Sequence, residues 1–421
     1  MRNTLLSALL VIALLTLPGC GNGARMVQSE KQRVTSPDVA PSDLADLING
    51  NSAFAFDLYQ SLAEEDGNLF YSPYSTSLAL AMTYAGARGE TERQMADTLH
   101  FILTQDHLHP AFNSLDLELA RRGGGTQGRD GEGFRLHIVN SLWGQEDYKF
   151  LPEFLDILAE NYGAGLRLLD FYAPEEARVT INDWVSDQTE GRIEDLIPQG
   201  VIDDITRLVL TNAIYFNAAW AEPFEPDQTA EGTFYLPDGS EVPVSMMKQR
   251  ESFGYTQGEG YQAVELPYEG GDLAMVIFLP DTGQFEELED ALDAKRADRI
   301  IKHLADSNVA LTMPKFEFDS SFELKKTLSG MGMPDAFSAV ADFSGMDGTH
   351  WLVIKEVLHK AFVAVDEAGT EAAAATAVVV ELKGVPSPPI EVTLDRPFVF
   401  LIRDIETGTI LFMGRVVNPG A

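Results

Sequence analysis

Cysteine is almost absent. Cys20 stands alone among 421 residues, so the rest of the chain has no disulfide, thiolate metal site or cysteine nucleophile. Basic residues are scarce as well: 30 Lys and Arg against 65 Asp and Glu leave a net charge of −35. Nucleic-acid binding needs clustered cations, and this balance argues against it. The acidity reads as solubility, adaptation to salt, or steering of basic partners. Catalytic signatures are missing too. No GxSxG elbow and no HExxH occurs. The seven histidines are scattered, and only His107 and His109 fall close together, too few ligands for a metal centre. Neither metal nor cofactor is expected. An enzyme with a site assembled from distant loops is the one catalytic alternative left.

What is present is a large apolar content, 45% of residues with 24 Phe, enough for a sizeable core. The first residues form their own block. Arg2 gives a positive start, Leu5 to Leu17 an apolar run too short for a comfortable membrane span, and Leu17-Pro18-Gly19-Cys20 closes it. This resembles the lipobox of bacterial lipoprotein precursors. The resemblance implies a signal at 1–19, cleavage before Cys20, and lipidation of Cys20 as an anchor to a bacterial membrane, with the protein periplasmic or facing outward. An ordinary cleaved signal is the alternative. Residues 20–45, polar and carrying Pro37 and Pro41, read as a flexible tether.

Regular patterning then runs to the end, with no composition break or repeat, and predicts a single domain over 46–419. Ser42 reads as the cap of a helix ending near Gly67. The segment after Pro73, "YSTSLALAMTYAGA", reads as a helix apolar nearly all round and hence buried. Two shorter amphipathic helices follow. "GGGTQGRDGEG" at 123–133 reads as a loop, and it fails as a phosphate loop because Arg129 follows Gly128 and no strand leads in. Strand-like runs come next, among them "FRLHIVNSLWG", "RLVLTNAIYFNAAW" and "VALTMPKFEF", with "EEARVTINDWVSDQTEG" a helix between. "RPFVFLIRD" and "TILFMGRVV" read as a buried hairpin.

The stretch "DEAGTEAAAATAVVVELKG", Asp366 to Gly384, stands apart. Thr370, Ala372, Ala374, Thr376, Val378, Val380 and Leu382 share one parity and are small or apolar, while Glu371 and Glu381 share the other. That period of two fits a strand with one face buried. Yet Pro386, Pro388 and Pro389 follow, which no central ladder accommodates, and Gly369 ahead offers hinge freedom. On this pattern the segment is either a strand awaiting its place beside an exposed loop, or a permanent strand or Ala-rich helix.

The same stretch resembles the hinge and reactive-centre loop of the serpins. Glu367, Ala368, Gly369, Thr370, Glu371, Ala372, Ala373, Ala374, Ala375 and Thr376 match the family's hinge in order. "NLFYSPYSTSLALAMTYAGARGET", "LTNAIYFNAAW", "VELPYEGGDLAMVIFLP", "LHKAFVAVDEAGTEAAAATA" and "RPFVFLIRDIETGTILFMGRVVNP" match further family blocks in family order. The resemblance implies an α+β fold: one domain of three β-sheets with eight or nine helices and an exposed loop at about 367–390. It implies a monomer that inactivates serine proteases as a covalent suicide substrate, the cleaved loop entering the central sheet. Family spacing puts the reactive bond at Lys383–Gly384, which suits trypsin-like proteases, since an ammonium needs an anionic pocket; Leu382 is the neighbouring alternative and suits a chymotrypsin-like one. Ser72, Ser75, Asn212 and His359 match the family's shutter, and Trp220, Lys315 and Glu367 its breach, with a Lys315–Glu367 ion pair expected. A non-inhibitory binding or chaperone-like role is the alternative function.

Overall fold

Proline marks where several helices begin. Its fixed φ and missing N–H cost nothing in a first helical turn. Pro41, Pro73, Pro152 and Pro174 open α1 (Pro41–Leu62), α2 (Pro73–Tyr84), α5 (Pro152–Tyr162) and α6 (Pro174–Gln188), and between them run α3 (Gly89–Leu99) and α4 (Gln105–Leu119). The computed structural model describes residues 24–122, 135–370 and 388–420. Ser42 is not the cap of α1: Ala40 is, with no side-chain cap bond, because Pro41 starts the helix one residue earlier. The helix also closes at Leu62, short of Gly67. Every residue of α2 is buried, as its apolar pattern requires.

Strands in the first half are β1 (Arg25–Val27), β2 (Leu69–Tyr71), β3 (Arg135–Gln145), β4 (Leu166–Leu169), β5 (Leu208–Ala219), β6 (Ala230–Tyr235), β7 (Glu241–Gly258) and β8 (Tyr261–Pro267). Those in the second half are β9 (Leu273–Pro280), β10 (Ala305–Pro314), β11 (Phe316–Glu323), β12 (Glu356–Val365), β13 (Gly369–Thr370), β14 (Ile390–Thr393), β15 (Phe398–Asp404) and β16 (Ile410–Val416). Two sheets result among the described residues. One has seven strands in the order β1-β4-β3-β5-β13-β12-β11; the other has nine, through β14-β10-β7-β8-β9-β15-β16-β2 with β6 on β7.

Two expectations are corrected here. Three sheets were expected, but β7 is 18 residues long and unbroken, so it pairs with β6 over its first residues, with β10 through its middle and with β8 at its end, joining two sheets into one. The described helices number ten rather than eight or nine; α7 (Phe285–Asp290), α8 (Ala294–Lys302), α9 (Leu324–Met331) and α10 (Ser344–Asp347) are all short. The expected hairpin of β15 and β16 is present and buried.

The segment expected as a tether also departs from the reading, from Ala24 onward. β1 adds to the sheet edge against β4. Lys31 reaches Asp156 and Glu160 at 3.1 and 3.0 Å, and Arg33 reaches Asp116 at 2.6 Å and Asn113 at 2.8 Å. Its polar side chains thus find acidic partners on α4 and α5, far away in sequence. The main core lies between the two sheets and α1, α2 and α4. A second cluster, including Val139, Trp143, Ile181, Val185, Val209 and Leu358, packs α6 on the outer face of the seven-stranded sheet.

Candidate functional site

The seven-stranded sheet is closed at one end and split at the other. β5 and β12 pair directly and in parallel over six positions, from Val209↔Glu356 to Ile214↔Ala361. Further along they part, and β13 sits between them, antiparallel to both: Thr370 faces Val365 on one side and Ala218 on the other, and Gly369 faces Ala219. Val365 and Ala218 continue the β12–β5 register without a shift. The hinge therefore enters as the first two residues of a strand that would fit between these neighbours.

Why Gly369 is a glycine follows from the approach. A Cβ there would meet the carbonyl oxygen of Ala218 at 2.1 Å and the Cα of Ala219 at 2.7 Å, both backbone and unable to yield. Thr370 is buried, and its Oγ1 lies 2.8 Å from the phenol of Tyr268. Burial pushes that phenol up, so Tyr268 stays neutral. The inward parity read from the sequence is observed at this one residue.

Just before β13 the chain is held by a tight turn and three anchors. Asp366 donates its N–H to the Gly369 carbonyl at 3.0 Å, and its carboxylate accepts from Ala368 N at 2.8 Å. Burial raises the Asp366 carboxyl above its ordinary range, against the pull of the Ala368 N–H and the Lys315 ammonium. Trp220 donates Nε1 to the Asp366 carbonyl at 3.0 Å and its backbone N–H to the Ala368 carbonyl at 2.9 Å, and stacks on Tyr268 at 4.7 Å. Lys315 Nζ is 2.7 Å from Glu367 Oε2, the expected ion pair, and Thr229 donates to Glu367 Oε1 at 2.7 Å. Burial pushes the Glu367 carboxyl up, but the Lys315 ammonium and Thr229 hydroxyl outweigh it and hold the group below the ordinary range.

The closed end carries the other four residues. Ser72 caps α2, accepting from Ser75 N at 3.1 Å and donating its hydroxyl to the Leu411 carbonyl at 2.7 Å. Its own N–H donates to His359 Nε2 at 3.1 Å. That bond requires an unprotonated Nε2, so the ring proton is on Nδ1, which donates to Asn212 Oδ1. Asn212 Nδ2 in turn donates to Ser75 Oγ at 2.6 Å. Burial lowers the His359 pKa to about 3 and keeps the imidazole neutral. Thus Ser72, Ser75, Asn212 and His359 form one buried network spanning α2, β5 and β12, and α2 is locked to both strands where they pair directly.

Four participants had escaped the sequence reading. Asn140 accepts from Asn212 Nδ2 and from Ser75 Oγ, and donates to the Ser75 carbonyl at 3.1 Å. An amide inside the apolar run "HIVNSLW", half-buried here, is a signal that a polar partner waits across the sheet. Tyr268, Thr229 and Asp366 had no such local mark. Ala372, Ala373, Ala374, Ala375, Thr376, Lys383, Gly384 and Cys20 lie outside the described residues.

A family model for serpins, serine protease inhibitors, matches residues 49–419. The chain is a serpin. Human leukocyte elastase inhibitor is 39% identical over 386 residues, 89% of this chain and 99% of that protein. An uncharacterized serpin-like protein of Thermococcus kodakarensis is 42% identical over 376 residues, 89% of this chain and 86% of that one. Among solved structures, the native state of tengpin, a thermophilic serpin, superposes with a TM-score of 0.83 at 29% identity, over 94% of this chain and all of that one. Human thyroxine-binding globulin superposes with a TM-score of 0.78 at 31% identity, over 90% of this chain and 99% of that one. Membership places this serpin among protease inhibitors rather than enzymes, with serine proteases as partners in general.

Proposed function

We propose that this serpin is a covalent, single-use inhibitor of trypsin-like serine proteases, cut at Lys383–Gly384. The protease serine Oγ would bond to the Lys383 carbonyl carbon as the bond to the Gly384 nitrogen breaks, the proton passing to that new amine. The freed loop would then enter between β5 and β12. One observation carries this reading: β13 already lies between those strands, in the register the rest of the gap would impose. Continued without a shift, Ala374 comes between Ala361 and Ile214, and Thr376 between His359 and Asn212. The Thr376 hydroxyl is then positioned to replace the His359–Asn212 bond that entry breaks. About a dozen new ladder bonds at about 1 kcal/mol each favour insertion by on the order of 10 kcal/mol.

Target choice rests on loop residues rather than on the shared fold. Several relatives are named for leukocyte elastase, whereas Lys383 suits a protease with an acidic pocket and Leu382 a chymotrypsin-like one. Mixing the serpin with trypsin, chymotrypsin and leukocyte elastase decides among them: the expected result is a detergent-stable complex with trypsin and cleavage after Lys383. Clean loop cleavage with no complex would favour the non-inhibitory reading.

The lipobox likeness supports a second part of the proposal: a signal at 1–19 is removed and Cys20 carries the lipid that anchors the protein to a bacterial membrane. Only residues 21–23 separate Cys20 from the docked segment, a reach of about 10 Å when extended. The lipid would therefore hold the β1–β4 edge close to the bilayer. Replacing Cys20 with Ala should release the protein from membranes; unchanged membrane association would remove this part.

A further inference from the structure

We infer that the apolar pole formed by Tyr172, Ile205 and Trp351 is a membrane seat, resting in the headgroup boundary of the bilayer that holds the lipid on Cys20. This deepens the anchoring reading above and rests on it. Trp351 is 80% exposed, Ile205 71% and Tyr172 60%, and among the described residues no other large apolar side chain is as exposed as Trp351. A single exposed apolar side chain needs no explanation, but large ones gathered at one pole do. Trp and Tyr suit the edge of a bilayer, where one end of the ring is wet and the other apolar.

Three segments make the pole. Arg207 lies over the Tyr172 ring at 4.9 Å and donates to its hydroxyl at 3.2 Å, which brings the turn with Ile205 beside Tyr172. Lys355 donates its backbone N–H to the Leu208 carbonyl at 3.0 Å, and its ammonium pairs with Asp203 at 2.5 Å. The segment with Trp351 thereby joins the same turn. The Lys355 pair balances one acidic charge of the turn. Arg207, bonded to the Asp204 and Thr206 carbonyls, supplies a cation that a lipid phosphate can meet.

Where the N-terminal chain joins the fold says what covers this pole. β1 runs antiparallel to β4, with Arg25 opposite Leu168 and Val27 opposite Leu166. Traced back from Arg25, the chain therefore heads past the C-terminal end of β4, and Ala24 packs against the cluster that holds Leu169 and Phe171. Arg25 lines a small cleft with Asp170 and Ala173, which flank Phe171 and Tyr172. Only residues 21–23 separate this point from Cys20, so a lipid on Cys20 enters the bilayer within reach of Tyr172. The hinge is at the other end. β5 spans Leu208 to Ala219, which faces Gly369, so at about 3.3 Å per residue the hinge stands roughly 36 Å above the seat. A lipid alone leaves the body free to turn; the seat fixes it with the split end of the sheet facing outward, toward proteases arriving from solution.

Tryptophan emission of the acylated full chain in phosphatidylcholine vesicles tests the inference, part of the lipid being brominated near the headgroup end of its chains. A zwitterionic lipid is used because an anionic surface repels a chain of net charge −35. The difference between the unaltered protein and Trp351→Phe isolates the Trp351 signal. That signal should be quenched by the brominated lipid and hidden from aqueous acrylamide. Ile205→Asp should lose much of the lipid quenching while the protein still floats with the vesicles, since the acyl chains hold it. Two results overturn the inference while leaving the anchor intact: a Trp351 signal open to acrylamide and untouched by brominated lipid in floating protein, or lipid quenching unaltered in Ile205→Asp. Shielding of Trp351 in concentrated Cys20→Ala protein without vesicles would assign the surface to a second copy and overturn it too. If protein isolated from membranes carries no acyl chain and does not float, the anchoring reading falls first and takes this inference with it.

Discussion

The two ends of the β5–β12 pair differ in how they are held. At the closed end six direct strand pairs are backed by a fully buried polar network in which each donor has an acceptor. At the split end the hinge is held by a partly exposed ion pair, a tryptophan and a two-residue strand. Neutral buried bonds resist opening because breaking one strands its partner, at about 1–3 kcal/mol, whereas an exposed ion pair contributes about 1 kcal/mol or less. The difference teaches where the strands are restrained: they part around the hinge at one end and are bolted together by the buried network at the other, the asymmetry that the proposed insertion would use.

The comparison breaks most sharply at Thr370. Thr370→Arg would put a cation into a buried site against Tyr268, so the hinge should fail to enter while the fold survives. The stoichiometry of inhibition against trypsin should rise by more than about tenfold, the serpin being digested as substrate. Unchanged stoichiometry would detach the hinge from function. Next comes the shutter. Asn212→Ala leaves His359 Nδ1–H unpaired and removes the donor to Ser75, a loss of about 2–4 kcal/mol. The native state should convert or aggregate on heating markedly sooner, read as a shortened half-life at fixed temperature.

Acid should act on the same end. His359 is neutral in the closed sheet with a pKa lowered by burial to about 3, against an ordinary 6.5. The stability this supplies is complete above pH 6.5. Below it an opened or unfolded chain takes up a proton the closed state refuses, so about 1.4 kcal/mol is lost per pH unit down to about 3. Thermal half-lives measured from pH 7.5 to 4.5 should fall, and His359→Gln should flatten part of the slope. The smallest effect belongs to the breach. Lys315→Met leaves Glu367 with Thr229 alone, and a pair this exposed should cost about 1 kcal/mol or less, seen as a slight fall in melting temperature.

Much of this contrast was legible in the chain, for physical reasons. Alternation around Thr370 marks a face to be buried whatever its neighbours, and Thr370 itself is buried. Runs such as "FVFLIRD" read as buried strands because they are short, bounded by turn residues and rich in aromatic and β-branched side chains. Partners brought from afar were not legible. Asn140 needed Ser75 and Asn212 across the sheet, and Tyr268 needed a hinge about a hundred residues later. Residues 24–40 looked like a tether because polarity and proline are their only local signal; Asp116, Asp156 and Glu160, which dock them, lie on other elements. The union of two sheets likewise depends on β7 continuing unbroken, which no turn signal announces.

The central claim is that the native chain holds back one strand from its main sheet. It is tested most directly by cutting the loop and comparing melting temperatures of cleaved and intact protein, with hydrogen exchange across β5 and β12. The account requires the cleaved form to melt well above the intact one, with β5 and β12 amides more protected. Equal melting temperatures, with exchange at the split end unchanged, would contradict it.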